Sequence, residues 1–347
     1  MGEISAVGID LSKGVMHLHA ADLQGKVLWR RKVARRDFST TLCKLPKGCF
    51  VYMEACQSAH YWARKARKEG LIAKQISPQF VKPFVKSQKN DYHDAEAILE
   101  AGNRPSMRFV ATKSEGQQEL QAMHCIRSRQ MAERTALMNQ MRGILAEYGV
   151  AIPQGVHRLK RYLAHDVSRE LELTGTIRLL VEDLKEELRE LEGRIARTEE
   201  RILRRAKACS MTQRLMTIPG IGILTATALA TVCGDPKVFK NGRQFAAWLG
   251  LTPRQVTTGG KPKLLGISKR GDIYTRTLMI HGARSVVNRA LHKKDTHSLW
   301  IQKLYATKGT NLTAVAVANK NARIAWRIMT SKEDYCPTLA HTADQIQ

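Results

Sequence analysis

The chain has 347 residues, and its 57 Lys and Arg side chains outnumber the 31 Asp and Glu side chains, so the formal net charge is +26. A chain of this length is expected to form two or three domains. A positive charge this large argues against a partner that is itself basic and indicates a nucleic-acid partner. The 7 Cys residues include no C-x-x-C pair, which supports neither a zinc finger nor a disulfide framework.

The termini and apolar runs give no indication of export or of membrane insertion. Residues 1–6 lead directly into a short predicted strand, which is unlike a signal peptide. The longest weakly polar run, Ile221 to Cys233, is too short to span a bilayer. A soluble protein of the reducing cytoplasm is therefore expected.

Short apolar runs bounded by turn residues predict five strands in the first part of the chain. Helical patterns are predicted between Glu54 and Gly70 and again after Asp91, and strands flanked by helices predict an α/β domain. The predicted strands are Ala6 to Leu11, Val15 to Ala20, Lys26 to Lys32, Cys49 to Met53 and Leu71 to Ile76.

Four acids occupy positions that favour a shared site. Asp10 and Glu54 each end a predicted buried strand, where a carboxylate is costly without a partner. Asp91 and Asp94 share one face at the start of a predicted helix, although this pair alone also fits a helix N-cap followed by a first-turn acid. Four converging carboxylates would suit two Mg²⁺ ions about 4 Å apart, an arrangement that hydrolyses or transfers phosphodiesters.

A basic loop precedes this helix. Its cations, Lys82, Lys86 and Lys89, are interpreted as guides for a phosphate backbone. The alternative interpretation is an ordinary solvated run of charge.

The middle of the chain is predicted to be helical. One helix extends from Glu115 to Tyr148, and a second has apolar residues at alternating spacings of four and three, which is the heptad pattern of a coiled coil. The two helices could pair as an antiparallel arm, or the second could pair between protomers. The heptad positions are Ile177, Val181, Leu184, Leu188, Leu191, Ile195, Thr198 and Ile202.

The segment Thr217 to Ala230 contains a Gly-rich turn before an apolar helix. It resembles a helix-hairpin-helix element, in which Gly220 and Gly222 would expose backbone N–H groups to a DNA phosphate. A purely structural turn between two helices is the alternative.

The last part of the chain is expected to be mostly helical around one basic loop. A helix at Phe245 to Leu251 leads into a loop from Thr252 to Gly266, and helices follow at Tyr274 to Leu291 and at Leu312 to Ile328. The loop is interpreted either as a nucleic-acid contact or as a plain mobile surface loop. The basic candidates for contact in and after it are Arg254, Lys261, Lys263, Lys269, Arg270 and Arg276.

Several of these motifs, in this order, resemble the Piv/MooV insertion-sequence transposases, the RuvC-like DEDD family. They are VGIDLSK, YMEACQS, KNDYHDAEAI, IPGIG, QFAAWLGLTP and GISKRGD, and the resemblance covers residues 4 to 330. It implies a RuvC-like, RNase-H-fold domain at residues 1–114, a helical coiled-coil region at 115–208, a mostly α-helical transposase domain at 209–331 and a poorly ordered tail at 332–347.

The resemblance also implies a function. Members of the family are recombinases that move their element with a structured bridge RNA, whose loops pair with donor and target DNA. It places Asp10, Glu54, Asp91 and Asp94 as the metal-binding acids. It further implies a loop serine that forms a covalent 5′-phosphoserine, with the metal ions supplied by a partner subunit, and hence a homo-oligomer that is expected to be a tetramer.

The sequence departs from the family pattern at the nucleophile. Thr258 stands where the family has serine, and its methyl group hinders approach to the hydroxyl and fixes χ1. Thr258 is the favoured nucleophile, Ser268 is the alternative, and impairment of this copy is a third interpretation.

Two other functions fit the same residues. A RuvC-like junction resolvase would use the four acids to hydrolyse phosphodiesters without a protein–DNA bond. A basic RNA-binding scaffold would use them only as a structural cation site.

Overall fold

The structure, a computed structural model, describes residues 3–86, 90–164, 173–331 and 333–336. The chain divides into two units, one made of residues 1–118 and 230–244 and the other of residues 119–229 and 245–347. The division into domains that the sequence suggests remains a prediction. Within the described residues, no helix is long and apolar enough to cross a membrane.

The first unit contains a six-stranded mixed sheet with the strand order β3-β2-β1-β4-β5-β6. Strand β1 pairs in parallel with β4 and antiparallel with β2, and β4 pairs in parallel with β5. The predicted α/β character of this part is confirmed. The strands are β1 (Ala6–Asp10), β2 (Val15–Ala21), β3 (Val27–Ala34), β4 (Phe50–Glu54), β5 (Ile72–Ile76) and β6 (Phe109–Val110).

Helices cover both faces of this sheet. The helices of the first unit are α1 (Phe38–Cys43), α2 (Ala59–Lys68), α3 (Pro78–Val81), a 3₁₀ turn (Lys82–Phe84) and α4 (Asp91–Gly102). Val7 and Ile9 of β1 share a core with Trp62 and Ala63 of α2, whereas Ala6 and Ile98 of α4 belong to a separate cluster. Because successive strand residues point to opposite faces, α2 and α4 pack on opposite sides of β1.

Helices and one β-hairpin make up most of the remaining chain. They are α5 (Glu115–Glu147), α6 (Val156–Ala164), α7 (Gly175–Lys207), α8 (Ser210–Met216), α9 (Ile223–Val232), a 3₁₀ turn (Pro236–Val238), α10 (Gly242–Trp248), β7 (Pro253–Thr258), β8 (Lys261–Ile267), α11 (Ile273–Ala290) and α12 (Thr296–Ser331). Helix α12 is interrupted at Gly309, which has φ +71°. The predicted helical character of the C-terminal region is confirmed.

The two long helices α5 and α7 pack against each other along the predicted heptad seam. Leu188 and Ile195 of α7 share an apolar cluster with Leu137 and Met141 of α5. Near the start of α5, the Arg127 side chain is 2.7 Å from that of Glu199. Since early α5 meets late α7, the helices run antiparallel, and the seam is buried within one chain.

One expectation from the sequence is wrong: the segment from Thr252 to Gly266, predicted as a loop, forms the hairpin of β7 and β8. The predicted helix at Leu312 to Ile328 is confirmed, as the part of α12 that follows the interruption at Gly309. The predicted poorly ordered tail lies largely outside the described residues.

Candidate functional site

The ends of two parallel strands bring the first two acids together. Residues 6–9 of β1 pair in register with residues 50–53 of β4, so Asp10 and Glu54, which follow on each strand, lie side by side at the same edge of the sheet. Both side chains are half-buried. The carboxyl edge of this parallel pair therefore carries two carboxylates.

Helix α4 supplies the other two acids because β1 allows it to approach very closely. A Cβ atom at Gly8 would lie 2.2 Å from the carbonyl oxygen of Ala95, so only glycine permits this packing. The close approach places the first turn of α4 over the end of β1. One ligand oxygen from each of Asp10, Asp91 and Asp94 lies within 4.8 Å of the others.

The N-cap of α4 is the residue before its first acid, and Asp91 and Asp94 both lie in the first turn. The N-cap is Asn90, whose side chain accepts a hydrogen bond of 3.0 Å from the backbone N–H of Tyr92. Asp91 is therefore not the cap residue, and its side chain is 62% exposed. The simple capping interpretation of Asp91 is wrong.

Repulsion between the carboxylates of the cluster favours binding of a cation. Burial raises the pKa of Glu54, and the neighbouring charges of Asp10 and Asp94 raise it further. Four oxygen ligands of like charge, two of them at strand ends, fit the hard divalent cations Mg²⁺ and Ca²⁺ better than they fit a soft metal. Among the described residues, Asp10, Asp91 and Asp94 are close enough to share one divalent ion, and Glu54 adjoins them without belonging to that group of three.

His17 lies beside this site, and no sequence motif marks it. It lies opposite Asp10 in the ladder between β1 and β2, and its ring meets that of Tyr92 edge-on at 4.9 Å. Its Nδ1 is buried without a hydrogen-bond partner in the described residues and is 3.8 Å from Asp91 Oδ2. The strand pairing that brings it there is a long-range property that a linear motif does not reveal.

The basic loop before α4 is only partly available to a ligand. Lys82 is exposed, whereas Lys86 lies 3.1 Å from a carboxylate oxygen of Glu100 and 3.7 Å from one of Glu96. Lys89 lies outside the described residues. Lys82 is thus the clearest candidate for phosphate contact in this loop.

Thr258 ends β7, next to the two-residue turn of the hairpin. Gly259 and Gly260 have φ values of +56° and +75°, as a tight turn between twisted strands requires. Thr258 pairs directly with Lys261, and Val256 pairs with Lys263. Because alternate residues share a face, the Thr258 hydroxyl and both lysines project from the same face of an exposed ribbon.

Ser268 occupies a different setting. Its backbone N–H donates to the carbonyl oxygen of Thr252 at 2.9 Å, which extends the hairpin pairing. The N-cap of α11 is Asp272, which accepts from the N–H of Thr275, so Ser268 is not a helix cap. Lys269 and Arg270 beside it are exposed, as is Arg254 at the start of the hairpin.

The Gly-rich turn before α9 has a packing role. A Cβ atom at Gly282 of α11 would lie 1.9 Å from the carbonyl oxygen of Gly220, and one at Gly220 would lie 2.7 Å from Val286. Nothing lies within 4 Å of such an atom at Gly222. Gly220 is therefore required by packing, and Gly222 is the residue of this turn with open space beside it.

Arg276 is placed differently from the other basic candidates. Its side chain is buried and donates to the carbonyl oxygens of Leu249 at 3.2 Å and Arg270 at 2.9 Å. A guanidinium occupied in this way stabilises the start of α11. This geometry favours a structural role over the predicted phosphate contact.

Comparison with known proteins identifies the class and the family. Residues 7–150 match the model of the DEDD transposase domain of IS110 elements, described as "Transposase". Residues 212–298 match the model described as "Transposase IS116/IS110/IS902 family". Together with the acidic cluster on a mixed sheet, these matches define a DNA transposase, which binds DNA and whose family suggests dependence on a divalent metal.

Several relatives match over nearly the whole chain. A "Probable family 20 transposase" of Pseudomonas aeruginosa is 47% identical over 336 residues, covering 96% of this chain and 99% of the relative. The transposase for IS1111A of Coxiella burnetii is 43% identical and that for IS1328 of Yersinia enterocolitica is 41% identical, covering 96% and 95% of this chain and 92% and 98% of the relatives. The chain belongs to the IS110 family of insertion-sequence transposases, and the resemblance found in its sequence motifs is confirmed.

Proposed function

We propose that this transposase is an RNA-guided recombinase that excises and inserts its element by cutting and exchanging DNA strands. The observation that carries the proposal is the convergence of Asp10, Glu54, Asp91 and Asp94 on one edge of the sheet. The resemblance to bridge-RNA-guided recombinases supports the RNA partner, and the net charge of +26 suits a protein that holds both RNA and DNA. A RuvC-like fold for the first unit belongs to the same proposal.

The four acids would hold two Mg²⁺ ions. Such ions, when bound, stabilise the negative charge that develops on a phosphodiester during strand transfer. Asp10 and Glu54 are fixed by the strand ends, and Asp94 is fixed by the first turn of α4. His17 borders the same site, with its Nδ1 3.8 Å from Asp91 Oδ2.

Thr258 would be the nucleophile. Its hydroxyl oxygen would form a bond to phosphorus as the bond from phosphorus to the 3′ oxygen breaks, which leaves a 5′-phosphothreonine and a free 3′-hydroxyl. The threonine proton would pass to a base and the 3′ oxygen would gain a proton. Lys261, directly opposite Thr258, would place a positive charge beside the phosphate. The family resemblance implies a composite site in a homotetramer, in which a partner subunit supplies the metal ions, and that assembly belongs to the same proposal.

The test of the acidic site separates cleavage from binding. Each of four single variants should lose Mg²⁺-dependent cleavage of a plasmid that carries the element, by at least about 100-fold. DNA binding by each variant should stay near that of the wild type. The variants are Asp10→Asn, Glu54→Gln, Asp91→Asn and Asp94→Asn. Asp22→Asn, in an exposed turn of the same unit, is the matched control. Normal cleavage by two of the four variants would refute the metal site.

A second function is a RuvC-like endonuclease that hydrolyses DNA junctions. The observation that favours it is that all four acids come from one unit, so hydrolysis would need no hydroxyl from elsewhere. A protein–DNA adduct that survives denaturation would exclude this alternative. Sequencing of the RNA that co-purifies with the full chain tests RNA guidance, which requires a single structured species encoded by the element.

A further inference from the structure

An open cleft of about 570 Å³ lies in the first unit beside the start of α2. It is lined by Arg35, Arg36, Ser58, Tyr61 and Trp62. These residues lie outside the acidic cluster and outside the nucleic-acid contacts predicted from the sequence. We call this feature the Arg36–Tyr61 cleft.

Trp62 forms the fixed floor of the cleft. It is 5% exposed, and its ring meets that of Phe38 edge-on at 4.6 Å and that of Tyr61 at 4.9 Å. The guanidinium carbon of Arg35 lies 5.6 Å from the Trp62 ring centroid, within reach of a cation–π contact. The Trp62 Nε1 atom is buried without a hydrogen-bond partner in the part of the chain described.

Two side chains of the cleft remain open to a ligand. The Arg36 side chain is 88% exposed, and within the described residues its Nε pairs with Asp37 Oδ2 at 3.5 Å, a contact that is weak at such exposure. Tyr61 is 47% exposed, so part of its ring is free to stack. An accessible guanidinium beside an accessible aromatic ring is the combination that binds the phosphate and the base of an unpaired nucleotide.

The backbone at the start of α2 adds to this chemistry. Ser58 is the N-cap and has φ +70°, and its side chain makes no capping hydrogen bond. A left-handed conformation is unfavourable for serine and occurs at functional sites. The Ala59 N–H donates to the carbonyl oxygen of Cys56 at 3.3 Å, and the other first-turn N–H groups of α2 lack intrahelical acceptors and favour an anion.

The cleft lies at the same edge of the sheet as the acids. Arg35 Nη1 donates to the carbonyl oxygen of Ser12 at 2.9 Å, two positions after Asp10. Ser58 follows Glu54 by four positions in the segment between β4 and α2. Helices α2 and α4 cover opposite faces of the sheet. A DNA strand that crosses the sheet edge carrying Asp10 and Glu54 would therefore contact the cleft on one face and the acids on the other.

We propose that the Arg36–Tyr61 cleft holds one unpaired nucleotide of the DNA strand that enters the acidic site. The phosphate contacts Arg36 and the base stacks on Tyr61, while Arg35 and Trp62 support them. The inference rests on the proposed function, because DNA is assigned as the occupant from the shared edge with the acids that would cut it. The cleft thereby positions the strand relative to the scissile phosphate.

The first experiment measures binding of a single-stranded DNA oligonucleotide to the full chain by fluorescence anisotropy in EDTA. Arg36→Ala and Tyr61→Ala should each weaken binding about ten-fold, as expected when one stacked base or one phosphate loses its partner. Tyr61→Phe should bind as the wild type does, because the ring is kept. Lys68→Ala removes the same charge from an exposed position in α2, and this control should change affinity by less than two-fold.

The second experiment locates the strand. DNA carrying 5-iododeoxyuridine near the cleavage position should crosslink to Tyr61 on irradiation, and the crosslink should persist in Asp94→Asn, which should not cleave. Wild-type affinity for DNA in both Arg36→Ala and Tyr61→Ala would refute the proposal that the cleft binds a nucleotide. The proposed function would still hold in that case if Asp94→Asn loses cleavage. If Tyr61→Ala weakens only an RNA oligonucleotide of the same sequence, the DNA assignment is wrong. If Tyr61→Ala lowers the melting temperature of the protein, the DNA affinity of Arg36→Ala tests the proposal instead, because the exposed Arg36 side chain adds little to stability.

Discussion

At the scale of single residues, Thr258 is the position where the family resemblance implies a serine. The hydroxyl sits on the exposed face of a hairpin, directly opposite Lys261 and beside the turn glycines. The glycines leave room for a DNA backbone on one side. The threonine methyl group restricts approach from the other.

Removing the Thr258 hydroxyl should eliminate a covalent protein–DNA species, and removing only its methyl group should not. We expect Thr258→Ala to form no adduct detectable by denaturing gel electrophoresis. Thr258→Ser should form it at the wild-type rate or up to about ten-fold faster, since the hydroxyl is less hindered. Thr257→Ala, one position earlier on the opposite face of the strand, is the control. An adduct that persists in Thr258→Ala and disappears in Ser268→Ala would assign the nucleophile to Ser268.

His124 illustrates how a single buried group couples stability to pH. Its Nδ1 lies 3.1 Å from the Tyr274 hydroxyl and its Nε2 lies 3.0 Å from Thr227 Oγ1, so it links α5, α9 and α11. Burial lowers the pKa of His124 to about 4, and the charge of Arg127 contributes in the same direction. The neutral imidazole is therefore the form that the fold requires.

The stability of the second unit should fall as the pH drops from about 6.5 to about 4. A lowered pKa in the folded state means that the contribution is complete above the unfolded value near 6.5 and is lost as the pH falls toward about 4. The loss from His124 is on the order of 3 kcal/mol. Urea unfolding at a series of pH values measures it. His124→Gln should flatten this dependence, and an equally steep dependence in that variant would show that other groups are responsible.

At the scale of secondary-structure elements, the packing of α4 on β1 determines whether the acids meet. The β1 and β4 strands and the start of α4 could be predicted because apolar runs and an acid pair mark them. The loop prediction failed at the hairpin because all residues of β7 are exposed and its strands show no alternation of buried and exposed positions, although the Gly259-Gly260 pair is a turn typical of a hairpin. Periodicity in the sequence does not encode contacts between distant segments. Three features depend on such contacts: the close approach of α4 to Gly8, the burial of the Arg276 side chain and the position of His17.

Gly8→Ala should separate α4 from the end of β1. The added methyl group would lie 2.2 Å from the carbonyl oxygen of Ala95, so the helix must move, at an expected cost of about 1–3 kcal/mol. Calorimetric titration should show weaker binding of Mn²⁺, used as a probe of the acidic cluster. Gly14→Ala is the matched control, since nothing lies within 4 Å of its Cβ position. Equal melting temperatures and equal metal affinities for the two variants would show that the close approach is not needed.

At the scale of the whole molecule, the charge of +26 is carried by elements with different tasks. Part of it is neutralised locally, as in the pairs of Lys86 with Glu100 and Arg127 with Glu199. The cations of the hairpin and the adjoining Lys269 and Arg270 are exposed. Binding of nucleic acid should therefore depend strongly on counterion release.

Raising the salt concentration from 50 to 200 mM should weaken DNA binding by about 10³-fold or more, as for a protein that contacts at least about six phosphates. Fluorescence anisotropy over this range gives the slope of log affinity against log salt. Lys263→Ala should reduce the magnitude of that slope by about one unit. Lys86→Ala should reduce it less, because Lys86 is engaged with two carboxylates. A slope near zero for the wild type would exclude phosphate contacts as the main source of affinity.

The β7–β8 hairpin has a consequence for when the protein can react. A ribbon of two strands with almost no buried side chains is at best marginally stable by itself, and most of this one is exposed. If Thr258 is the nucleophile, the hairpin of a chain alone in solution does not hold the Thr258 hydroxyl in a fixed position for attack. Cleavage would then require a nucleic acid or a second subunit that binds the ribbon and holds Thr258 in place.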